Sequence, residues 1–387
     1  MISIKILHFA NLITMFGSNI LKIPFSFFLA EEFGVGSGFA LFIIIQMLPI
    51  VLFSASYSKV AQKFGIFKTI QYSQGLSILL GAALCMSLFF DLTIASVFIL
   101  FLLNTTSSCL KVLFPGLLKE YNQEDGQKIN STKKHLADWS IISNLALVCA
   151  IMLGGLLKDY ISLQLFICLD VITFIVSYLF WVKVGDTLCH STYSIVQNFH
   201  LKTYVKFSFL PINQMSFFRS VAYGVFNSFI PVIIVTKNGL DSKVLGLIYL
   251  YMGVVSIFGS VMAKKIKHMP WNLMRYLVSL ELLIMASTIY FSGFYHYIAL
   301  VFFLLLLTCF NQINLHSELL NHCGTKNSSM AAAAYSMVTQ WGVLLSFLIY
   351  FFFSKQVSET TFILGVLGCS IISFMISFYV EIEAERR

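Results

Sequence analysis

Four ionisable residues, Lys22, Asp170, Arg219 and Glu281, stand inside apolar stretches of roughly 20 residues, the length that crosses a bilayer core. Charge at that depth is costly, and by default it marks a cavity, a proton relay or a partnered ion. A desolvated carboxyl such as Asp170 or Glu281 can load a proton and release it when its surroundings change. A lysine such as Lys22 complements an anionic or zwitterionic group. Amides and hydroxyls nearby supply directional hydrogen bonds. Asn11, Ser18 and Asn19 accompany Lys22, and Asn104, Ser108 and Lys111 share one helical face. Tyr223 and Asn227 continue a polar stripe beside Arg219, while Asn311 and Asn314 precede a further carboxyl, Glu318. Each residue also has a plain structural use. Lys22 can snorkel to the headgroups, Arg219 can anchor an interface, Glu281 can pair with a cation such as Arg275, and amides can join helices.

Long apolar runs must position these groups. The 387 residues are 58% hydrophobic and only 11% charged, with 39 phenylalanines. Soluble domains carry about 25% charged residues, so an ordinary soluble fold is excluded. Apolar runs fall at 6–30, 38–57, 69–89, 93–113, 138–157 and 163–182. A second set covers 212–235, 243–263, 273–292, 296–316, 330–353 and 360–380. They predict an all-α membrane protein of twelve transmembrane helices with both termini cytoplasmic. With the N-terminus inside, Lys59, Lys63, Lys68, Lys119, Lys133, Lys264, Lys265 and most other basic residues are cytoplasmic. Only Lys158, Lys237, Lys243 and Lys355 fall outside. That bias follows the positive-inside rule and tests the span count, since one missed span would invert every later loop. The net charge of +8 therefore reports topology and gives no reason to expect a nucleic-acid partner. The first run is too long, and too interrupted by Asn11, Asn19 and Lys22, for a cleaved signal peptide.

No cofactor or metal is expected. There is no C-x-x-C pair among the eight cysteines, and no G-x-x-x-x-G-K-[ST] run. His316, Glu318, His322 and Cys323 lack the spacing of a zinc motif.

A polar stretch at 184–211 divides the runs into two sets, predicting a six-helix bundle at 1–183, a cytoplasmic linker, and a second bundle at 212–387. The halves echo one another. Gly17 and Pro24 in span one recur as Gly224 and Pro231 in span seven, and Asn130-Ser131 before span five recurs as Asn327-Ser328 before span eleven. Ser58 and Lys63 after span two are matched by Gly259 and Lys264 after span eight. Parallel duplicated halves are a known transporter plan.

The segment after span two, Ser58, Gln62, Lys63, Gly65 and Lys68, resembles the signature loop of the major facilitator superfamily. Gln62 stands in place of its acid and Ser58 in place of its first glycine. Pro115, Leu117 and Leu118, then Asn130-Ser131, Gly154-Gly155, Asp170 and Thr173-Phe174, resemble the bacterial exporter branch that holds macrolide-efflux proteins and siderophore exporters. The Gly-Pro of antiporters is Ala150-Ile151 here. Ser18, Asn19 and Lys22 also resemble a segment of lysophospholipid transporters, with Ser18 where those have an acid.

The resemblance implies a monomeric secondary transporter of the bacterial inner membrane, in which spans one, four, seven and ten line a substrate cavity and the signature loop gates it. It implies alternating access and proton-coupled export of a small amphipathic molecule, siderophore- or drug-like. Asp170, Glu281 and Glu318 are then the candidate proton carriers. A lysophospholipid flippase and a siderophore importer remain open, as does a different class, a membrane receptor or membrane-embedded enzyme.

Overall fold

The computed structural model describes residues 2–33, 35–124, 130–157, 160–188, 199–231, 242–266, 269–290, 294–323, 327–353, 364–369 and 371–376. A helix stands at each of the twelve predicted spans. Span one is two helices, α1 (Ile2–Ile20) and α2 (Lys22–Phe33). Spans two to six are α3 (Val35–Phe64), α4 (Ile66–Phe89), α5 (Thr93–Glu124), α6 (Asn130–Leu157) and α7 (Leu163–Leu188). A short α8 (Leu201–Ser208) lies in the predicted linker. Spans seven to eleven are α9 (Pro211–Pro231), α10 (Ser242–Lys265), α11 (Trp271–Tyr290), α12 (Phe294–Cys323) and α13 (Ser328–Phe353), and an apolar helix, Leu364–Ile376, stands at span twelve. Among the described residues, 8 helices are long and apolar enough to cross a membrane. Leu79, Ile94 and Leu179 are among the large apolar side chains left outside. Lipid, not protein, solvates such a face, while the helices satisfy their own backbone groups.

Contacts divide the chain into two compact units, Met1–Leu117 with Ile142–Phe199, and Leu118–Ile141 with His200–Arg387. In the first, Phe25, Leu29, Leu84, Leu100, Phe166 and Phe174 belong to one buried apolar cluster. A polar seam ties α1 to α7 and α4: Thr14 Oγ1 lies 2.7 Å from Ser177 Oγ and 3.2 Å from Gln74 Oε1. Ser177 donates to the Ala10 carbonyl at 3.0 Å.

In the second unit, the ends of α5 and α6 make polar contacts that explain their grouping. Lys119 Nζ donates to Asn321 Oδ1 at 2.9 Å, and Ser328 Oγ to Glu120 Oε1 at 3.0 Å. Lys264 pairs with Asp138, and the Ser140 and Ser260 hydroxyls share a hydrogen bond of 2.8 Å. Helix α13 packs closely on α9, because Gly342 has no side chain to hold off the Phe217 carbonyl and Gly224 none to hold off Ser346. Small residues at such crossings let membrane helices approach one another.

Candidate substrate pocket and buried ion pair

The break in span one explains where Lys22 points. Pro24 has no N–H to donate to the Ile20 carbonyl four residues back, and its ring crowds that carbonyl. The helix stops at Ile20, Leu21 forms a turn, and α2 starts at Lys22. Gly154 of α6 occupies the space beside the freed carbonyl: a Cβ there would lie 2.6 Å from Ile20 O. Because the obstacle is backbone, it cannot rotate aside. Gly154→Val is expected to destabilise the protein by about 1–3 kcal/mol, the usual cost of overpacking, and thermal unfolding of the detergent-solubilised protein measures it.

Beside this break the first unit holds a small pocket lined by Ser18, Leu21, Lys22, Phe25, Phe42, Gln46, Leu100, Leu103, Asn104, Ser107 and Asp170. Its chemistry is a mostly apolar wall with convergent polar groups, the usual make-up of a small-molecule site. Lys22 is half-buried and, among the described residues, forms no hydrogen bond or ion pair. Asp170 is buried at 2% exposure, and its Oδ1 has no hydrogen-bond partner among the described residues. Gly17 makes room for it: a Cβ at Gly17 would come within 2.7 Å of Asp170 Oδ1 and would also collide with the Thr173 hydroxyl. The Thr173 hydroxyl donates to the Asp170 backbone carbonyl at 2.7 Å. Lys111, one turn beyond Ser107 on α5, is near enough to interact electrostatically with both Lys22 and Asp170. The first unit thus gathers two lysines around one carboxylate.

Of the polar residues singled out in the sequence, Ser18, Lys22, Asn104 and Asp170 meet at this pocket. Asn11, Asn19 and Ser108 are buried but do not line it. Asn11 lies about 10 Å further along α1 than Ser18, at about 1.5 Å per residue, and its Nδ2 approaches Met15 Sδ at 3.5 Å. Gln46, Ser107, Phe25 and Phe42 also line the pocket. Gln46 could have been found, as a lone amide inside the apolar run of span two.

In the second unit the structure brings Arg219 and Glu281 together, where the sequence suggested Arg275 as a partner for Glu281. Arg219 Nε donates to both Glu281 oxygens at 2.8 Å. Thr308 Oγ1 donates to Oε1 at 2.8 Å and Asn311 Nδ2 to Oε2 at 2.7 Å. Arg219 also donates to the Thr308 carbonyl, and Asn311 Nδ2 approaches the Leu277 carbonyl at 3.2 Å. Glu281 is fully buried and Arg219 is 5% exposed. Both carboxylate oxygens are saturated, so the cluster knots α9, α11 and α12 together. Arg275 instead lies against the rings of Tyr276 and Phe374, at 5.1 and 5.6 Å.

The remaining candidates are scattered. Asn314 Nδ2 donates to the Phe310 carbonyl of its own helix at 2.7 Å, Glu318 is exposed, and Tyr223 is half-buried. The side chains of Asn227, Asn130 and Ser131 lie outside the described residues. His316 stacks on Tyr335 with ring centroids 4.2 Å apart, while His322 is exposed. In the signature loop, Gly65 takes φ 85°, a left-handed conformation that glycine adopts freely, and so turns α3 into α4. Lys63 and Lys68 are exposed. Ser58 and Gln62 are buried, and the Ser58 hydroxyl and both Gln62 amide atoms have no hydrogen-bond partner among the described residues.

No protein-family model matches this chain, and no curated protein sequence does. Solved structures do match. A bacterial homologue of the iron transporter ferroportin, in an outward-facing state, superimposes with a TM-score of 0.76 at 13% identity, covering 97% of this chain and 98% of that one. The E. coli fucose:proton symporter FucP gives 0.72 at 11% identity, with 98% of each chain covered. The human organic anion transporter MFSD10 gives 0.71 at 11% identity, covering 97% of this chain and 98% of that one. FucP is a major facilitator superfamily transporter. Agreement over whole chains establishes the fold: this is an all-α membrane protein with the twelve-helix major facilitator fold, as the signature loop implied.

Proposed function

We propose that the chain is a secondary transporter that moves a small amphipathic organic anion across the bacterial inner membrane by alternating access between six-helix halves at 1–183 and 212–387. The observation that carries this reading is the pocket of the first unit. Lys22 and the Asp170 Oδ1, neither with a hydrogen-bond partner among the described residues, share its lining with Phe25 and Phe42. Lys22 attracts the anionic group, Asn104, Ser107 and Gln46 orient it, and the two rings hold the apolar part. The saturated Glu281 has no free lone pair to exchange protons readily, so Asp170 is the proposed proton carrier. The fold neighbours support transport as the class, one being named an organic anion transporter and another a proton symporter.

Charge balance favours a direction of coupling. An ionised Asp170 competes with the substrate anion for Lys22 and Lys111, so a proton on Asp170 strengthens anion binding and the anion strengthens proton binding. Proton and substrate then travel together, as symport. Export by antiport, the expectation drawn from the macrolide-efflux and siderophore-exporter resemblance, needs them to compete; it is the second reading.

Flux into proteoliposomes tests both. An aromatic sulfonate stays anionic at any accessible pH, and its sulfonamide serves as neutral control. Accumulation along an imposed proton gradient is expected for the sulfonate alone, and Lys22→Ala should lower its rate about tenfold or more, the size of one charge-assisted hydrogen bond. Accumulation against the proton gradient would favour antiport. Turnover of a lipid or peptide without any gradient would remove the transporter reading itself.

A further inference from the structure

Helix α8 presents three different stripes. Tyr204, Phe207 and Ser208 are buried. Tyr204 Oη donates to Met337 Sδ of α13 at 3.3 Å, and Asn213 Nδ2 of α9 donates to the Phe207 carbonyl at 2.7 Å. Gln214 Nε2 donates to the Phe209 carbonyl at 3.1 Å. The helix is therefore clamped to two spans along one side. A second stripe, Leu201, Val205 and Phe209, spaced one turn apart, is 61%, 44% and 68% exposed. A third, Lys202 and Lys206, is exposed beside it, next to exposed His200. There is no acid in α8.

Apolar side chains one turn apart with lysines alongside are the pattern of a helix lying in a membrane interface. The bilayer surface is close at hand, because Pro211, which opens α9, follows α8 after only Phe209 and Leu210. The positive-inside assignment puts this segment on the cytoplasmic face, where anionic lipids attract basic segments. We propose that α8 is a lipid-binding surface: Leu201, Val205 and Phe209 dip among the acyl chains, and Lys202 and Lys206 hold the phosphates of anionic lipids. The lysines' aliphatic stems reach along the apolar stripe while their ammonium groups stay at headgroup level. This site is separate from the pocket and does not depend on the transport reading.

Two measurements on the full chain in nanodiscs test it. In Val205→Trp, the added fluorescence relative to the parent protein should be quenched by brominated phosphatidylcholine. Native mass spectrometry should show phosphatidylglycerol retained over phosphatidylcholine, a preference that Lys202→Gln with Lys206→Gln lowers by about fivefold per lysine. An unquenched indole would overturn the proposal. So would a phosphatidylglycerol preference that survives the double substitution, or one that soluble glycerol phosphate abolishes.

Discussion

Glu281→Ala is expected to cost about 3–5 kcal/mol of stability, the usual penalty for stranding one member of a buried ion pair. The substitution leaves Arg219 at 5% exposure with its charge uncompensated. It also removes the acceptors of Thr308 Oγ1 and Asn311 Nδ2. Arg219→Ala does the converse and leaves Glu281, which is fully buried, without its counter-charge. Removing both charges with apolar residues of similar volume, Arg219→Met with Glu281→Leu, should cost less than either single change. The attraction in a buried pair is largely offset by the desolvation of both ions, and contacting residues are not additive. Thermal or urea unfolding in detergent micelles, with all three variants and the parent, ranks their stabilities. If the single variants unfold with the parent, the cluster does not hold α9, α11 and α12 together. If the double variant is the least stable of the four, the pair gains more than its desolvation costs.

Asp170→Asn should abolish gradient-driven accumulation while leaving substrate exchange at equal pH intact. Asparagine keeps the shape of the side chain beside Gly17 and Thr173 but cannot bind or release the proton. One proton carried per substrate supports about tenfold accumulation for each pH unit of gradient, and the variant should level off at equal concentrations on the two sides. The variant also fixes the site in a state resembling protonated Asp170, so its sulfonate affinity should lose the part of its pH dependence that Asp170 carries. Equilibrium binding in detergent measures that separately from transport. An Asp170→Asn protein that still accumulates substrate along the proton gradient would place the proton carrier elsewhere. Glu318, exposed on α12, would then be the next carboxyl to replace.

The fold was largely legible because a bilayer imposes one simple rule, an apolar run of fixed length, and because loop charge checks the count independently. The site was legible in part. Ser18, Lys22, Asn104 and Asp170 stood out as polar groups where lipid tolerates none, and they do converge. What no spacing rule conveys is which helices touch. Arg219 and Glu281 were both conspicuous, yet their partnership depends on α9 and α11 packing together, 62 residues apart in sequence. Asn11 shares a helical face with Ser18 but lies two turns away, where Met15 and not the pocket is its neighbour. Gln46 is a single amide within span two, a weaker signal than a charge at that depth. The break at Leu21 was visible only as Pro24; that Gly154 would rest against the released carbonyl depends on α6, more than a hundred residues on.

That break has a mechanical meaning. A continuous helix transmits a tilt from one end to the other, whereas α1 and α2 are two rods with a single residue between them. The joint sits directly beside Lys22, so under the proposed function a bound anion would be held at the pivot itself. Helix α1 is fastened to α7 by Thr14 and Ser177, and α2 is anchored separately, by Phe25 and Leu29 in the apolar cluster. Gly154 rests against the joint and, having no side chain, leaves the Ile20 carbonyl its room.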